Sequence, residues 1–363
     1  MKSTVKSLLV LTLVTLFVVS CGGDYRKRAQ GQMGHVVVVM DSASWQSATA
    51  DAIRNTFGKE IETLPNLEPR YDLKFVDFST REKLDQLKKM KNIIFAAPID
   101  KKSDVGNFVR AILSDPIKER VRSGQNFAFP LDNKWYRDQW SLILTSTSDS
   151  TLARKIENAG TSLVNDLDQV ELRRWKEDIY DRGEKYAIED SLWEHHGWKI
   201  RVQHDYQLHI DTTNFVSLRR FLPKNDRWIW GWWKNDVTDI SMIDQDWINH
   251  MRDSLMEKWV RGTRDSSYVT TEYRRPVKTR TFMMNGYFTY ETKGTWRMTN
   301  DFMGGPFVNY TIYDEDTNRL FMVEFAQFAP RYDKRRFVRQ FEAMGHTFRA
   351  DSSYNARMEH ASE

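Results

Sequence analysis

Three patterns of apolar and polar positions follow one another along the 363 residues. Residues 7–19, SLLVLTLVTLFVV, are uncharged and almost wholly apolar. As a helix they reach about 20 Å, short of the roughly 30 Å hydrocarbon layer of a bilayer. From 35 to 190, short β-branched runs alternate with segments of helical period. HVVVVM (35–40), YDLKFVDF (71–78) and NIIFAAPI (92–99) predict strands. SWQSATADAIRNTFG (44–58) predicts a helix with Ser44 as its cap and Gly58 at its end. STREKLDQLKK opens on a capping box, Ser79 to Glu82, and SDVGNFVRAIL (103–113) is a further helix. NFAFP and WSLILTST predict a strand pair around the loop LDNKWYRDQ. A long helix is expected from Ser150, because Leu152, Ile156, Ala159, Leu163, Leu167 and Val170 lie along one stripe. The alternation predicts an α/β layer with some parallel pairing.

Residues 191–350 change character. WKIRV, NFVSLRRF, RWIWGWWK, YVTTEYR, VKTRTFMM, YFTYETKGTWRM, FVNYTIYD and LFMVEFAQF all predict strands. Asn285-Gly286 between two of them predicts a tight hairpin, and DEDTN (314–318) a turn. Two helices interrupt the strands. One carries Ile248, Met251, Leu255 and Trp259 on one face; the other follows Asp333 with Phe337, Phe341 and Met344 inward. This half is expected to be α+β, an antiparallel sheet covered by helices. The domain reading is therefore a leader over 1–20, a flexible tether over 21–34, an α/β domain over 35–190, an α+β domain over 191–350 and a polar tail over 351–363.

The opening residues change the picture most. Lys2 and Lys6 precede the apolar run, and Ser20, Cys21, Gly22 and Gly23 follow it. A short apolar run behind a basic start reads as a secretory leader. Val18-Val19-Ser20-Cys21 resembles the bacterial lipobox, in which the Cys sulfur is diacylated, the leader is cut and the new amine is acylated. Cys21 is the sole cysteine, so disulfides and thiolate metal sites are excluded. Two or three acyl chains anchor firmly where one binds marginally. The membrane is thus an expected partner, with Arg26, Lys27 and Arg28 near the head groups. Gly22 and the single acid Asp24 after Cys21 point to the outer membrane, facing the periplasm.

Charge excludes one class. The formal +4 falls to +2 once Lys2 and Lys6 leave with the leader, too balanced for nucleic-acid binding.

Catalytic patterns are thin. There is no G-x-S-x-G elbow, Walker loop or H-E-x-x-H. His195 and His196 read as strand neighbours on opposite faces, and His204 and His209 likewise, so no metal site and no cofactor is expected. Asp166/Asp168 and Asp314/Asp316 are acidic pairs of the kind glycosidases use, but helix and turn positions make them solvated charges. Trp228, Trp230 and Trp232 share one strand face and form the candidate ligand surface. The competing account packs them under the helix that carries Met251 and Trp259. Gly231 favours a close approach there, and Gly304-Gly305-Pro306 reads as a turn or bulge with positive φ. The basic stretch APRYDKRRFVR (329–339) sits at a helix start, where the dipole disfavours it.

GHVVVVMD, LPNLEPRYDL, KNIIFA, RDQWSLILTS, NFVSLRR, MNGYFTYETKGTWRMTNDFMGGPFVNYT and FAPRYDKRRFVRQFEAM resemble an uncharacterised lipoprotein family of the Bacteroidota, a domain-of-unknown-function family. ETKGTWRMTNDFMGGPF (291–307) is the most specific part. The resemblance implies an envelope lipoprotein and no particular reaction. The second half also resembles the two-layer sheet-and-helix fold of photosystem PsbP-type proteins, an analogy of fold without function. The expectation is a non-enzymatic lipoprotein that binds or scaffolds an envelope protein or glycan. The alternatives are a glycan-acting hydrolase with an unrecognised site and a carbohydrate-binding module using the tryptophan row.

Overall fold

A computed structural model describes residues 25–354 apart from 263 and 265. The leader over 1–20, Cys21 and residues 355–363 of the polar tail lie outside the described residues. The chain forms two compact units. One takes residues 25–32, 36–45 and 74–152; the other takes 33–35, 46–73 and the described residues from 153 to 354. The boundary read near residue 190 does not coincide with this division, because 46–73 and 153–190 pack with the later residues.

In chain order up to the long helix, the elements are β1 (His35–Val39), α1 (Ala48–Phe57), β2 (Asp72–Val76), α2 (Arg81–Leu87), β3 (Asn92–Ala96), α3 (Asp104–Ile112), α4 (Asp115–Arg122), β4 (Ala128–Pro130), β5 (Trp140–Leu144) and α5 (Asp149–Tyr180). The first unit is an α/β layer on a five-stranded sheet of order β2-β1-β3-β5-β4. β1, β3 and β5 run parallel, and β4 closes antiparallel on β5. Every residue of β3 and β5 is buried, which is why both are apolar apart from Asn92 and Ser141. Val39, Ile93, Phe95 and Ile143 meet Val105 and Val109 of α3 in the core. The cap of α2 is Thr80, whose hydroxyl accepts the Lys83 N–H at 3.3 Å, one residue past the expected Ser79. Ser44 caps nothing; it lies in a 3₁₀ turn over Ser42–Gln46, and α1 starts after Ser47. The expected tether is fixed over part of its length: Ala29 N–H donates to Arg137 O at 2.8 Å and Gln30 N–H to Lys89 O at 2.7 Å.

The remaining elements are α6 (Tyr186–His196), β6 (Trp198–Lys199), β7 (Gln207–Asp211), β8 (Phe215–Arg220), β9 (Asp226–Lys234), α7 (Gln245–Trp259), β10 (Val269–Thr271), β11 (Lys278–Met284), β12 (Tyr287–Met298), β13 (Gly304–Asp314), β14 (Arg319–Phe328), α8 (Arg335–Gly345) and β15 (Arg349–Ala350). The second unit is α+β. Its sheet has the order β10-β12-β13-β14-β9-β8-β7, with β11 also paired to β12. Asn285 and Gly286 turn that hairpin at φ 56° and 96°, the conformation an Asn-Gly pair adopts most readily.

Period-two alternation divides this sheet between two cores. Ile229 and Trp233 face Phe325, Phe341 and Met344, beneath α8. Trp230 and Trp232 face Ile248, Leu255 and Met256 of α7. Trp259 stacks on Phe215 with centroids 4.9 Å apart.

Glycine has a different role here from the expected one. Gly304 and Gly305 are strand residues without positive φ; a Cβ at Gly305 would overlap the carbonyl oxygen of Gln327. At Gly231 the close approach is by the indole of Trp198. The start of the polar tail is packed too, with Asp351 N–H on Gly197 O at 2.9 Å and Tyr354 OH on His195 O at 2.7 Å.

Candidate ligand cleft

A cleft of about 880 Å³ opens within the second unit. Residues 59–63 form one side, and the middle of α5, the β11–β12 hairpin and the inner face of α8 form the others. Helical spacing selects the residues: Asp168, Leu172 and Lys176 are each four apart on α5, and Arg335, Arg339, Glu342 and His346 follow one line on and just after α8. On β12 the alternation aims Glu291 and Lys293 at the cleft, and Arg280 stands opposite Glu291 in the β11–β12 register.

The floor is a continuous chain of charge. Glu291 accepts from Arg280 Nε at 2.7 Å and from the Tyr310 hydroxyl at 3.0 Å. Lys293 Nζ bridges Glu291 at 2.8 Å and Glu342 at 2.6 Å. Arg339 joins Glu342 at 3.0 Å to Asp168 at 2.9 Å. Asp168 also accepts from the Tyr71 hydroxyl at 2.5 Å and from Arg70.

Burial pushes the Glu342 carboxyl up, but the Lys293 and Arg339 charges outweigh it and hold the group well below the usual carboxylate range. Burial is likewise outweighed at Glu291 by Lys293 and Arg280, and at Asp168 by Arg339 and Arg70. Burial, reinforced by the Glu291 charge, drives the Tyr310 phenol well above its usual range.

His346 sits against this chain, stacked on Phe282 at 5.7 Å and edge-on to Tyr310 at 5.9 Å. Burial is the main reason its pKa falls to about 4, with Lys176 adding to it and Glu291 opposing. The unfolded chain therefore takes up this proton first, near pH 6.5. The contribution is full above about pH 6.5 and is lost as pH drops toward about 4. A His346→Asn chain is expected to lose about 2–3 kcal/mol less stability than the parent between pH 7 and 4. Urea unfolding across that range reads the difference, and parallel pH profiles would contradict it.

The cleft has more cations than its own acids neutralise. Eight lysines and arginines line it against five carboxylates. Four of those carboxylates already hold ion pairs: Glu62, Asp168, Glu291 and Glu342. Among the described residues Lys176 has no carboxylate partner; its Nζ reaches only His346 O, at 3.4 Å. Burial first, then the charges of Arg349 and Arg201, lower its pKa.

The residues singled out in the sequence are placed differently. Trp230 and Trp232 are buried, Trp228 is half-buried with its ring edge-on to Trp296 at 4.9 Å, and the row is core under α7, not an open platform. Aromatic area gains more from α7 than from water. His195 and His196 end a helix instead of entering a strand. His196 Nε2 lies 2.7 Å from Asp211, and its ring packs on Trp233. His204 and His209 are exposed and do not line the cleft. No cluster of His, Cys, Asp and Glu suited to a metal occurs among the described residues. Asp166 is exposed, but Asp168, expected on the wet side of its helix, is drawn inward by Arg70 and Arg339. Asp314 is buried and accepts the Thr317 hydroxyl, while Asp316 stays in the turn. The basic start of α8 is offset by Glu68, whose carboxylate accepts the N–H groups of Lys334 at 2.6 Å and Arg335 at 2.9 Å.

Glu291, Lys293, Arg339 and Glu342 were not among the sequence candidates. The available signal was charge at inward positions: the alternation of YFTYETKGTWRM aims Glu291 and Lys293 at the face beneath α8.

Residues 29–180 match the family model of a domain of unknown function (DUF8532), and residues 185–347 that of a second (DUF4837). No curated protein matches the chain. Among solved structures, a chain titled as a mutant of the protein Mog1 is similar over 43% of this chain and 91% of its own, at 7% identity and a TM-score of 0.27. A likeness that loose carries no argument. No helix among the described residues is long and apolar enough to cross a membrane.

Proposed function

For a chain whose two halves match the models of two domains of unknown function, we propose an envelope lipoprotein that binds an anionic ligand in the cleft and does no chemistry on it. The acyl anchor at Cys21, and a site on the outer membrane facing the periplasm, are part of the proposal and rest on the lipobox pattern. The binding reading rests on the surplus of cations over carboxylates lining the cleft, with Lys176 paired to no carboxylate among the described residues and its ammonium disfavoured by burial and by the charges of Arg349 and Arg201. An anion there would relieve like-charge repulsion and gain a partly desolvated ion pair.

A glycan-cleaving reading needs a carboxyl held protonated as the acid. The four displaced carboxylates of the cleft, Glu62, Asp168, Glu291 and Glu342, are all displaced toward the ionised form. Burial of the tryptophan row likewise weighs against a sugar-stacking module.

Citrate and inorganic pyrophosphate serve as probes. Either is expected to bind in calorimetric titration at low salt, to weaken as salt rises, and to stabilise the fold by about 2.7 kcal/mol at a hundredfold excess over Kd. Lys176→Glu is expected to abolish the heat while leaving the unfolding midpoint of the free protein nearly unchanged. No heat with either probe, or equal binding by Lys176→Glu, would overturn the reading.

A further inference from the structure

One end of the second unit's sheet carries a feature that the cleft does not use. Arg220 pairs with Arg227, Arg297 with Gly304, and Phe328 with Asp226. These registers bring three connections out at the same end: 221–225 between β8 and β9, 299–303 between β12 and β13, and 329–334 between β14 and α8. Each holds a large apolar side chain in water. Phe302 is fully exposed, Phe221 is 67% exposed, Tyr332 is 51% exposed, and Leu222 stands beside Phe221 at 40%. Loop tips ordinarily hold small polar residues, and exposed apolar groups gathered at one edge mark a surface with a partner.

The charges around them indicate the partner. Residues 219–226, 299–303 and 329–336 hold seven cations, Arg219, Arg220, Lys224, Arg331, Lys334, Arg335 and Arg336, against three acids, Asp226, Asp301 and Asp333. Arg219, Arg220 and Arg335 are tied to Asp226, Asp205 and Asp72. Lys224, Arg331 and Arg336 are exposed and have no carboxylate partner among the described residues. Aromatic tips ringed by cations match a bilayer interface, where rings enter the head-group layer and cations meet lipid phosphate. A second protein copy would bring the same positive charge to the same edge.

We propose that this loop edge docks on an anionic lipid surface, with Phe221, Leu222, Phe302 and Tyr332 inserted and Lys224, Arg331 and Arg336 on the head groups. The contact is independent of any acyl group at Cys21 and of the cleft.

The test uses the full chain carrying Cys21→Ser, so that no acyl chain contributes. It is sedimented with vesicles of phosphatidylcholine alone or with about one-third phosphatidylglycerol. Binding to the anionic vesicles is expected to exceed that to the neutral ones at least about tenfold and to fall with salt. Adding Phe221→Ser, Phe302→Ser and Tyr332→Ser is expected to lower it about tenfold with the unfolding midpoint unchanged. Lys224→Glu with Arg331→Glu should do the same at low salt and little at high salt. The proposal is overturned if the parent ignores anionic vesicles, if the serine variant binds equally, or if light scattering shows only a dimer that the serine variant abolishes. Probe binding in the cleft stands or falls separately, since Lys176 is outside these loops.

Discussion

Lys293→Met is expected to destabilise the fold by about 3–5 kcal/mol at pH 7, the loss found when one partner leaves a buried ion network. The ammonium bridges Glu291 at 2.8 Å and Glu342 at 2.6 Å, and both carboxylates lie out of water. Methionine preserves the stem and its packing, so the loss measured is electrostatic. Arg280 and Arg339 still hold one carboxylate each, but nothing then separates the two negative charges. One carboxyl of the pair would be driven upward and would take a proton.

The pH dependence of this variant has a definite sign. In the parent, Glu291 and Glu342 are held below their usual range, so their contribution is full above about pH 4.5 and drains as pH falls through their folded values. In the variant, protonation of the shared pair relieves repulsion, so acid works the other way. The gap between parent and variant should therefore narrow from pH 7 to pH 4 in urea unfolding. A gap that stays constant, or a loss under about 1 kcal/mol, would show that Lys293 is a solvated surface charge.

The same residues explain what pattern reading reached and what it missed. Period two in RWIWGWWK correctly puts Trp228, Trp230 and Trp232 on one face, and the helical stripe of 245–260 supplies Ile248 and Leu255 to its core with Met251 and Trp259 packed beside them, while Met256, which the stripe did not include, joins them. Asn285-Gly286, and the inward Phe337, Phe341 and Met344, were legible because each depends on neighbours a few positions away. The cleft was not. Its charges come from residues 59–70, α5, β11, β12 and α8, and nothing local distinguishes Asp168 from the exposed Asp166 two residues earlier. Charged residues default to solvent, and only the fold brings Arg339 to Asp168 across 171 positions. The capping of α8 was hidden for the same reason, since Glu68 lies 266 residues before Lys334.

Arg252 and Glu324 yield the second large effect. Both side chains are wholly buried, and the guanidinium grips the carboxylate through Nε and a terminal nitrogen, each at 2.8 Å. Arg252 also lies over the Phe307 ring at 4.0 Å and donates to Thr271 at 3.1 Å, and Asn309 donates to Glu324 at 3.2 Å. Burial raises the Glu324 carboxyl even against the charge of Arg252, so desolvation already exceeds much of what the pair returns. Arg252→Met alone should cost about 3–5 kcal/mol, because Glu324 is left buried without a counter-charge, holding the Asn309 amide. Arg252→Met with Glu324→Leu removes both charges, and should recover at least about 2 kcal/mol of that loss. Urea unfolding of the parent, both single variants and the double variant closes the cycle. If the two single losses simply add, to within about 0.5 kcal/mol, the pair is not coupled and this account of the α7 face fails. Strong recovery would mean that the pair fixes which side chains meet beneath α7 more than it adds to net stability.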